Sequence, residues 1–402
     1  MTKRNTYAGD MTRAIHAGES PDPTTGASAP AIHMSSTFVS DSVAGFSAHD
    51  LGDDSPYLYA RWSNPSVHML ERKIAALQGT EDCLCTASGM AAAAAIMLTF
   101  LSQGDHLVIS DVSYAGVAEL ARDTLPRYGV EVSAVDMSDL EAVAAAIRPN
   151  TKIVHVESPV NPIMRLTDIA AVAKLAHDAG AIHSTDATFA SPLGMDTAAL
   201  GVDLVMHSTT KYVGGHGDAV GGAIAGRADL IRDMRLEASI HHGSILSPFN
   251  AWLIARGAST LPLRMKAHAA GAQAVAEWLE THPSVTRVIY PGLSSHPQFD
   301  LATRQMSNCS GMLSFQVGNV ADGERIARQM IDRLEVIHYA VSLGHHRSLM
   351  FWMETNALME TSFRLSGAAA KDYRDFAGDG IFRLSVGLED AEDLIADLDR
   401  AL

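Results

Sequence analysis

The sequence predicts an α/β fold organised around a mostly parallel, helix-covered sheet. Two observations carry that expectation. Between Asn64 and His207, segments with helical apolar spacing alternate with short apolar runs of strand length, the pattern of repeated β-α-β units. The chain is also large and apolar enough for a big core, with 402 residues, 47% of them hydrophobic and 19% charged. That length suggests roughly two or three domains.

Taken in order, residues 1–62 are rich in Gly, Pro, Ser and Asp with little periodicity, which predicts an extended arm of the kind that crosses to a neighbouring subunit. Residues 63–255 form the large domain, with segments at 67–77, 91–101, 106–110, 130–135, 140–146, 153–157, 169–179, 181–185 and 202–207. The apolar run 91–101 is too short to span a bilayer and reads as a buried helix. Residues 256–402 form a smaller α/β domain. Long helical material over 250–279 leads into strands at 285–290, 312–317, 336–341 and 381–386, and a helix closes the chain over 391–402.

A net charge of −16 repels phosphate backbones and anionic membrane surfaces, so neither nucleic acid nor a membrane is an expected partner. The first ten residues hold no apolar segment, and the expected location is the cytoplasm. Cys83 and Cys85 are too close for an ordinary zinc half-site and have no second pair to complete one. They read as core thiols, and no metal is expected.

The chemistry concentrates where the apolar run Asp203-Leu204-Val205-Met206 passes through His207, Ser208, Thr209 and Thr210 to Lys211, followed by Gly214, Gly215, Gly217, Gly221 and Gly222. Burial at a strand end lowers an ammonium pKa, and a neutral amine can form a Schiff base with a carbonyl. The expected carbonyl is pyridoxal phosphate, with Ser208 and Thr210 alternating along the strand end to donate to its phosphate. Ser88-Gly89-Met90 precedes the Ala-rich segment, where free amides and a helix dipole make a second phosphate contact. Asp186 ends the run Ala181-Ile182-His183-Ser184-Thr185, at the edge where ligands of open α/β sheets collect. A carboxylate there can keep a pyridine nitrogen protonated and the ring an electron sink. Tyr114, in a loop after the 106–110 strand, is placed to stack on a flat ring. Each residue alone has a plainer reading: a surface lysine, a helix N-cap, a packing tyrosine.

Together with Tyr59-Ala60-Arg61-Trp62-Ser63-Asn64-Pro65, Glu157-Ser158-Pro159-Val160-Asn161-Pro162, Gly215-His216-Gly217-Asp218 and Arg383-Leu384-Ser385-Val386-Gly387-Leu388-Glu389, these motifs resemble the Cys/Met-metabolism (trans-sulfuration) family of pyridoxal-phosphate enzymes over nearly the whole chain. The resemblance implies a fold-type-I transferase architecture with a seven-stranded large-domain sheet. It implies Lys211 as Schiff-base lysine and proton shuttle, Tyr114 as ring stacker and acid–base group, and Asp186 as partner of the pyridine nitrogen. Gly89, Met90, Ser208, Thr210 and Thr188 complete the cofactor site. Tyr59 and Arg61 reach the phosphate of an adjacent subunit, so that a dimer is the smallest competent unit and a homotetramer the usual assembly. Arg383 grips the substrate carboxylate, helped by Asn161 and Ser342. The implied reaction is γ-elimination or γ-replacement on an L-amino acid, through the Lys211 Schiff base and a vinylglycine-type intermediate.

Several residues depart from the family pattern. Ala187 stands where an Asn is usual, and Gly116 stands where methionine γ-lyases carry a cysteine. The run His345, His346 and Arg347 is the most unusual, because many members place a glutamate or an apolar residue at the site of Arg347. Adjacent strand residues would face opposite sides, so the two histidines make a poor metal pair. A cation at Arg347 disfavours the amino group of cystathionine. The choices from Leu349 to Thr361 also point to a specialised substrate, and homoserine derivatives with a γ-oxygen leaving group, O-acylhomoserines and canavanine among them, are the expected class. Asp53, Asp54, Glu354 and Glu360 are the candidate partners of a cationic tail. Cystathionine or methionine γ-cleavage, cystathionine γ-synthesis, a β-lyase or aminotransferase, and a non-catalytic binding module are the alternatives.

Overall fold

The structure, a computed structural model, describes residues 7–40 and 55–402. Seven strands make the first sheet: β1 (Asp82–Thr86), β2 (His106–Ser110), β3 (Glu131–Val135), β4 (Thr151–Glu157), β5 (Ile182–Asp186), β6 (Leu204–His207) and β7 (Gly222–Gly226). Their order is β1-β7-β6-β5-β4-β2-β3. Only β7 runs against the others, pairing antiparallel with both β1 and β6. Apolar clusters cover both faces, one holding Leu84, Ile96, Leu107, Ile153 and Met206, the other Cys83, Cys85, Val154, Val156 and Val205. The two cysteines are therefore core thiols.

Local chemistry explains the helices that frame the site. Asn64 caps the helix Pro65–Gln78 by accepting from the Ser66 amide, and Gly79 ends it in the left-handed region. Ser88 caps Gly89–Phe100 through the Ala91 amide. The buried alanines of that helix let it lie close against the sheet. At Gly222 a side chain would start 2.2 Å from the Ser88 carbonyl oxygen, so β7 needs glycine where the helix begins. The same glycines and alanines hide β7 from propensity reasoning, which counts them against strands.

A second sheet, ordered β10-β11-β12-β9-β8, is antiparallel except for the β10–β11 pair. Its strands are β8 (Arg287–Ile289), β9 (Met312–Gln316), β10 (His338–Tyr339), β11 (Leu349–Glu354) and β12 (Gly380–Ser385). The strand expected over 336–341 is reduced to β10. The segment 349–361, read as bordering the distal pocket, begins with β11. Its Trp352 packs on Phe382 and fills the space over Gly323 and Gly380. Position 255/256 lies within the helix Pro248–Ala258, and the next helix, Leu261–Thr281, passes from the first core to the second: Leu261 and Met265 pack in one, Ala272 to Leu279 in the other. The arm holds a short helix, Asp10–His16, and is pinned to its own chain by Lys73–Glu19 at 2.7 Å and Trp252 Nε1 to the Pro30 carbonyl at 2.9 Å. Among the described residues no helix is long and apolar enough to cross a membrane.

Candidate functional site

Strands β4, β5 and β6 are parallel neighbours, so their carboxyl ends present Glu157, Asp186 and the residues after His207 along one edge. The strand β6 stops at His207. Ser208 to Val213 form a turn, closed by the Lys211 amide on the Ser208 carbonyl at 3.0 Å and the Gly214 amide on the Thr209 carbonyl at 2.9 Å. The expected alternation of Ser208 and Thr210 along a strand is therefore absent. Thr210 spends its one hydroxyl proton on the Gly221 carbonyl at 3.1 Å and accepts the Gly221 amide, whereas no partner takes the Ser208 hydroxyl among the described residues.

Lys211 is partly buried, and its Nζ donates to Ser342 Oγ at 2.9 Å. Burial, followed by the nearby Arg383 cation, pulls its pKa down to about 8, so a useful fraction is free amine near neutrality. Asp186 is buried. Its Oδ1 accepts from both the Thr188 amide (2.9 Å) and the Thr188 hydroxyl (2.6 Å), and Oδ2 accepts from no described residue. Thr188 also receives the Ser208 amide at 2.9 Å, tying the aspartate to the lysine turn.

Glu157, which carried no assigned role in the sequence, sits beside Asp186 in register. It accepts the amides of Tyr114 (2.5 Å) and Asn161 (2.8 Å). Burial, and then the charge of Asp186, pushes Glu157 up, and burial likewise raises Asp186. Burial and the repulsion between the two carboxyls favour at least one proton on the pair. The signal in the sequence was available: a second carboxylate ending a neighbouring parallel strand.

Tyr114 caps the short helix Ala115–Glu119 and is 50% exposed, its ring free to stack. At Gly116 a Cβ would lie 2.9 Å from Met90 Sδ and 3.0 Å from Tyr114 Cε1, and at Gly89 a Cβ would meet the Ser208 Cβ at 2.8 Å. The start of the Gly89–Phe100 helix is thus packed directly on the lysine turn. Tyr59 and Arg61 make no hydrogen bond to these residues. Arg61 sits over the Tyr59 ring at 5.5 Å and donates to the Ile240 carbonyl.

Across from the lysine, buried Arg383 on β12 donates to Asn161 Oδ1 at 2.8 Å and to the Ser342 carbonyl at 3.2 Å. Ser342 has φ +95, left-handed backbone that a serine adopts only when its surroundings hold it. The residues 342–348 form an irregular loop, not a strand, so the two histidines are placed by a bend. His345 Nε2 lies 3.3 Å from Ser342 Oγ. His346 stacks at a tilt on His216 and donates its amide to the Gly215 carbonyl. Arg347 is exposed. Of the acidic candidates, Glu354 ends β11, Glu360 is exposed, and Asp53 and Asp54 lie outside the described residues.

Comparison with known proteins finds one family over nearly the whole chain. The family model described as "Cys/Met metabolism PLP-dependent enzyme" matches residues 11–402. A canavanine gamma-lyase of Rhizobium leguminosarum bv. trifolii is 40% identical over 394 residues, 97% of this chain and 95% of that protein. A cystathionine gamma-synthase of Mycobacterium bovis is also 40% identical, over 395 residues, 98% of this chain and 97% of that protein. Among solved structures, metB from Corynebacterium glutamicum superposes with a TM-score of 0.88 at 36% identity, covering 99% of this chain and 98% of its own.

Proposed function

The chain belongs to the Cys/Met metabolism PLP-dependent enzymes, a family of γ-elimination and γ-replacement on amino acids, and from that premise we propose that it releases an oxygen-linked γ-substituent from an L-homoserine derivative. The residues suit the cofactor. Asp186 keeps one carboxylate oxygen unpaired, and the contact of Gly89 with Ser208 leaves a cradle that a Cβ would fill. Lys211 would hold the aldehyde carbon, Asp186 the ring nitrogen, Tyr114 the ring face, and Ser208 with the amides of Gly89 and Met90 the phosphate. When bound, pyridoxal phosphate supplies an electron sink that acidifies the α- and β-protons of the substrate.

The chain's own residues supply the remaining steps. Arg383, held rigid by Asn161 and the Ser342 carbonyl, presents its fork to the α-carboxylate and fixes which face meets Lys211. Lys211, its pKa lowered to about 8, takes the α-proton, hands it on to free its amine, then takes the β-proton and gives that one to the γ-oxygen as the substituent departs. Glu157 keeps Tyr114 and Asn161 in register with both. Tyr59 and Arg61, which make no hydrogen bond to the lysine turn of their own chain, complete the phosphate site of a neighbouring subunit, so the working unit is at least a dimer and the assembly a tetramer.

The observation that carries the substrate class is the loop facing Lys211. Its side chains are an imidazole beside Ser342 and an exposed arginine, with no carboxylate between Ser342 and Ser348 to receive the second amino group of cystathionine. The equal identity to a lyase and a synthase leaves the sequence neutral between elimination and replacement. Mass spectrometry of products from methionine, cystathionine, O-acetylhomoserine, O-succinylhomoserine and canavanine, with and without sulfide, tests the reading. Consumption of a γ-oxygen substrate ahead of the others supports it, and homoserine as product would mark water as the replacing nucleophile. Fastest loss of methionine or cystathionine overturns it, as would pyruvate from a β-substituted substrate or dependence on a 2-oxo acid.

A further inference from the structure

The loop 342–347 does more than omit a carboxylate. Ser342 stands between two nitrogen groups, Lys211 Nζ at 2.9 Å and His345 Nε2 at 3.3 Å. Its backbone is clamped by the Arg383 guanidinium on its carbonyl, by the Gly344 amide on Ser385 Oγ at 2.9 Å, and by the His346 amide on the Gly215 carbonyl. The imidazole of His345 is seated over Gly217, where a Cβ would come within 2.5 Å of Cε1 and 2.7 Å of Nδ1. Gly217, with φ +71, therefore makes room for the ring, and the loop after Lys211 interlocks with the loop that carries His345.

Hydrogen-bond counting limits what these groups can do. A hydroxyl has one proton, and an ammonium has donors only. When Lys211 is cationic it donates to Ser342 Oγ, so the serine proton must turn to His345 Nε2, which has to be bare. When Lys211 is a neutral amine its lone pair can receive the serine proton, and Ser342 Oγ can then accept from a protonated Nε2. We infer that His345 is a positioning residue which, through Ser342, sets the direction of the hydrogen bond to Lys211 and so the proton that lysine holds between steps. No bond other than N–H and O–H changes. The switch between ring tautomers exchanges one proton with water at each nitrogen, and the total is conserved. The inference rests on the proposed role of Lys211 as the amine that moves the substrate's protons.

The charges around His345 favour its neutral form. Burial first, then Lys211, His346 and Arg347, hold it below the ordinary imidazole value, and only Asp218 acts to raise it. Lys211 in turn faces Arg383. A cationic His345 cannot accept from Ser342, so acid that protonates it opposes the ammonium form of Lys211.

The test uses the holoenzyme with His345→Gln and His345→Ala, read by pH titration of the visible absorbance without substrate and by the pH profile of kcat. Glutamine fills the space over Gly217 and can bond Ser342 without titrating. The expected result is that the acid-side transition of the wild-type absorbance vanishes in both variants. Plateau kcat falls about threefold in H345Q and about tenfold in H345A, with KM unchanged. In cofactor-free protein, competitive acetylation of Lys211 should show its midpoint about half a pH unit lower in H345A, because Ser342 loses the acceptor that strengthens it. Titrations that superimpose across wild type and both variants overturn the inference, and H345Q still decides it if H345A fails to fold. A chromophore still reducible onto the protein in Lys211→Ala would instead sink the reading of the lysine.

Discussion

Two walls enclose the site, and they are built on opposite physical terms. One is made by the ends of β4 and β5 and the turn after β6. There Glu157 and Asp186 are buried, every strand is flanked on both sides, and the side chains are held by backbone amides. The other is the loop from Ser342 to Ser348, with a serine in left-handed backbone, a half-buried imidazole and an exposed arginine. The first wall carries the groups that any amino acid in this cofactor chemistry needs. The second is where this chain is free to differ. A sheet edge can bury charges because it supplies amides to satisfy them, and a loop can change residues without repacking a core.

The comparison is tested most severely at the lysine. Lys211→Ala should lower turnover by about a thousandfold or more and abolish reduction of the chromophore onto the protein by borohydride. Substitutions in the loop, Arg347→Ala included, should cost about tenfold or less on the preferred substrate while changing the order of preference among substrates. Stopped-flow and steady-state assays of both sets side by side decide the matter. If loop variants cost as much as the lysine, the division of labour is wrong.

Arg383 joins the walls, touching Asn161 on one and Ser342 on the other. Arg383→Lys keeps the charge but loses the planar fork. A fall in kcat/KM of about a hundredfold, mainly through KM, is the expected outcome, against about tenfold for Asn161→Ala. A loss confined to kcat would mean that Arg383 aligns the reacting atoms instead of gripping the carboxylate.

The two walls also differ in how far the sequence discloses them. Lys211 and Asp186 could be placed because each follows an apolar run that must be a strand, and a parallel sheet puts such ends together. Even there the detail failed at Ser208 and Thr210, where a turn replaces the expected strand end because Gly214 and Gly215 let the chain fold back. In the loop, the residue types were conspicuous but their geometry was not. The contact of Ser342 with Lys211 spans more than a hundred residues, and nothing local requires φ +95 at a serine. The strand β11 escaped because Leu-Met-Phe-Trp-Met lacks alternation. Its residues serve both cores, Met350 and Trp352 packing in the second and Met353 against the first.

The sheet wall should also be the acid-sensitive one. His155 on β4, His183 on β5 and His207 on β6 are buried neutral, held down to about 4, about 3 and about 4 by burial. Above about pH 6.5 folded and unfolded chains are alike in leaving these rings uncharged. Below it the unfolded chain takes up protons that the folded one refuses, so stability falls as pH drops toward 4. Glu157 and Asp186, both raised by burial, work in the opposite sense, while His268 and His296, also held down to about 4 by burial, act with the three rings. Calorimetry should find Tm lower by more than about 5 °C at about pH 5 than at about pH 7, and His183→Gln should flatten that slope. An unchanged slope in the variant would place the acid sensitivity elsewhere.

The smallest expected effect bears most directly on specificity. Gly116 lies on the Tyr114 side, and a cysteine there must push on Met90 Sδ at 2.9 Å and Tyr114 Cε1 at 3.0 Å. Methionine is flexible and yields cheaply, so Gly116→Cys should lower kcat/KM on the native substrate only about threefold through a displaced tyrosine ring, with a small shift of the visible band. Adding Met90→Ala should recover most of it, since the crowding would then be relieved. Cleavage of methionine should stay at background, because the imidazole and arginine of the opposite loop remain. Should the single cysteine raise methionine cleavage more than about tenfold, substrate choice would reside in the helix that carries Tyr114, and the loop of His345 would be left with the proton of Lys211 alone.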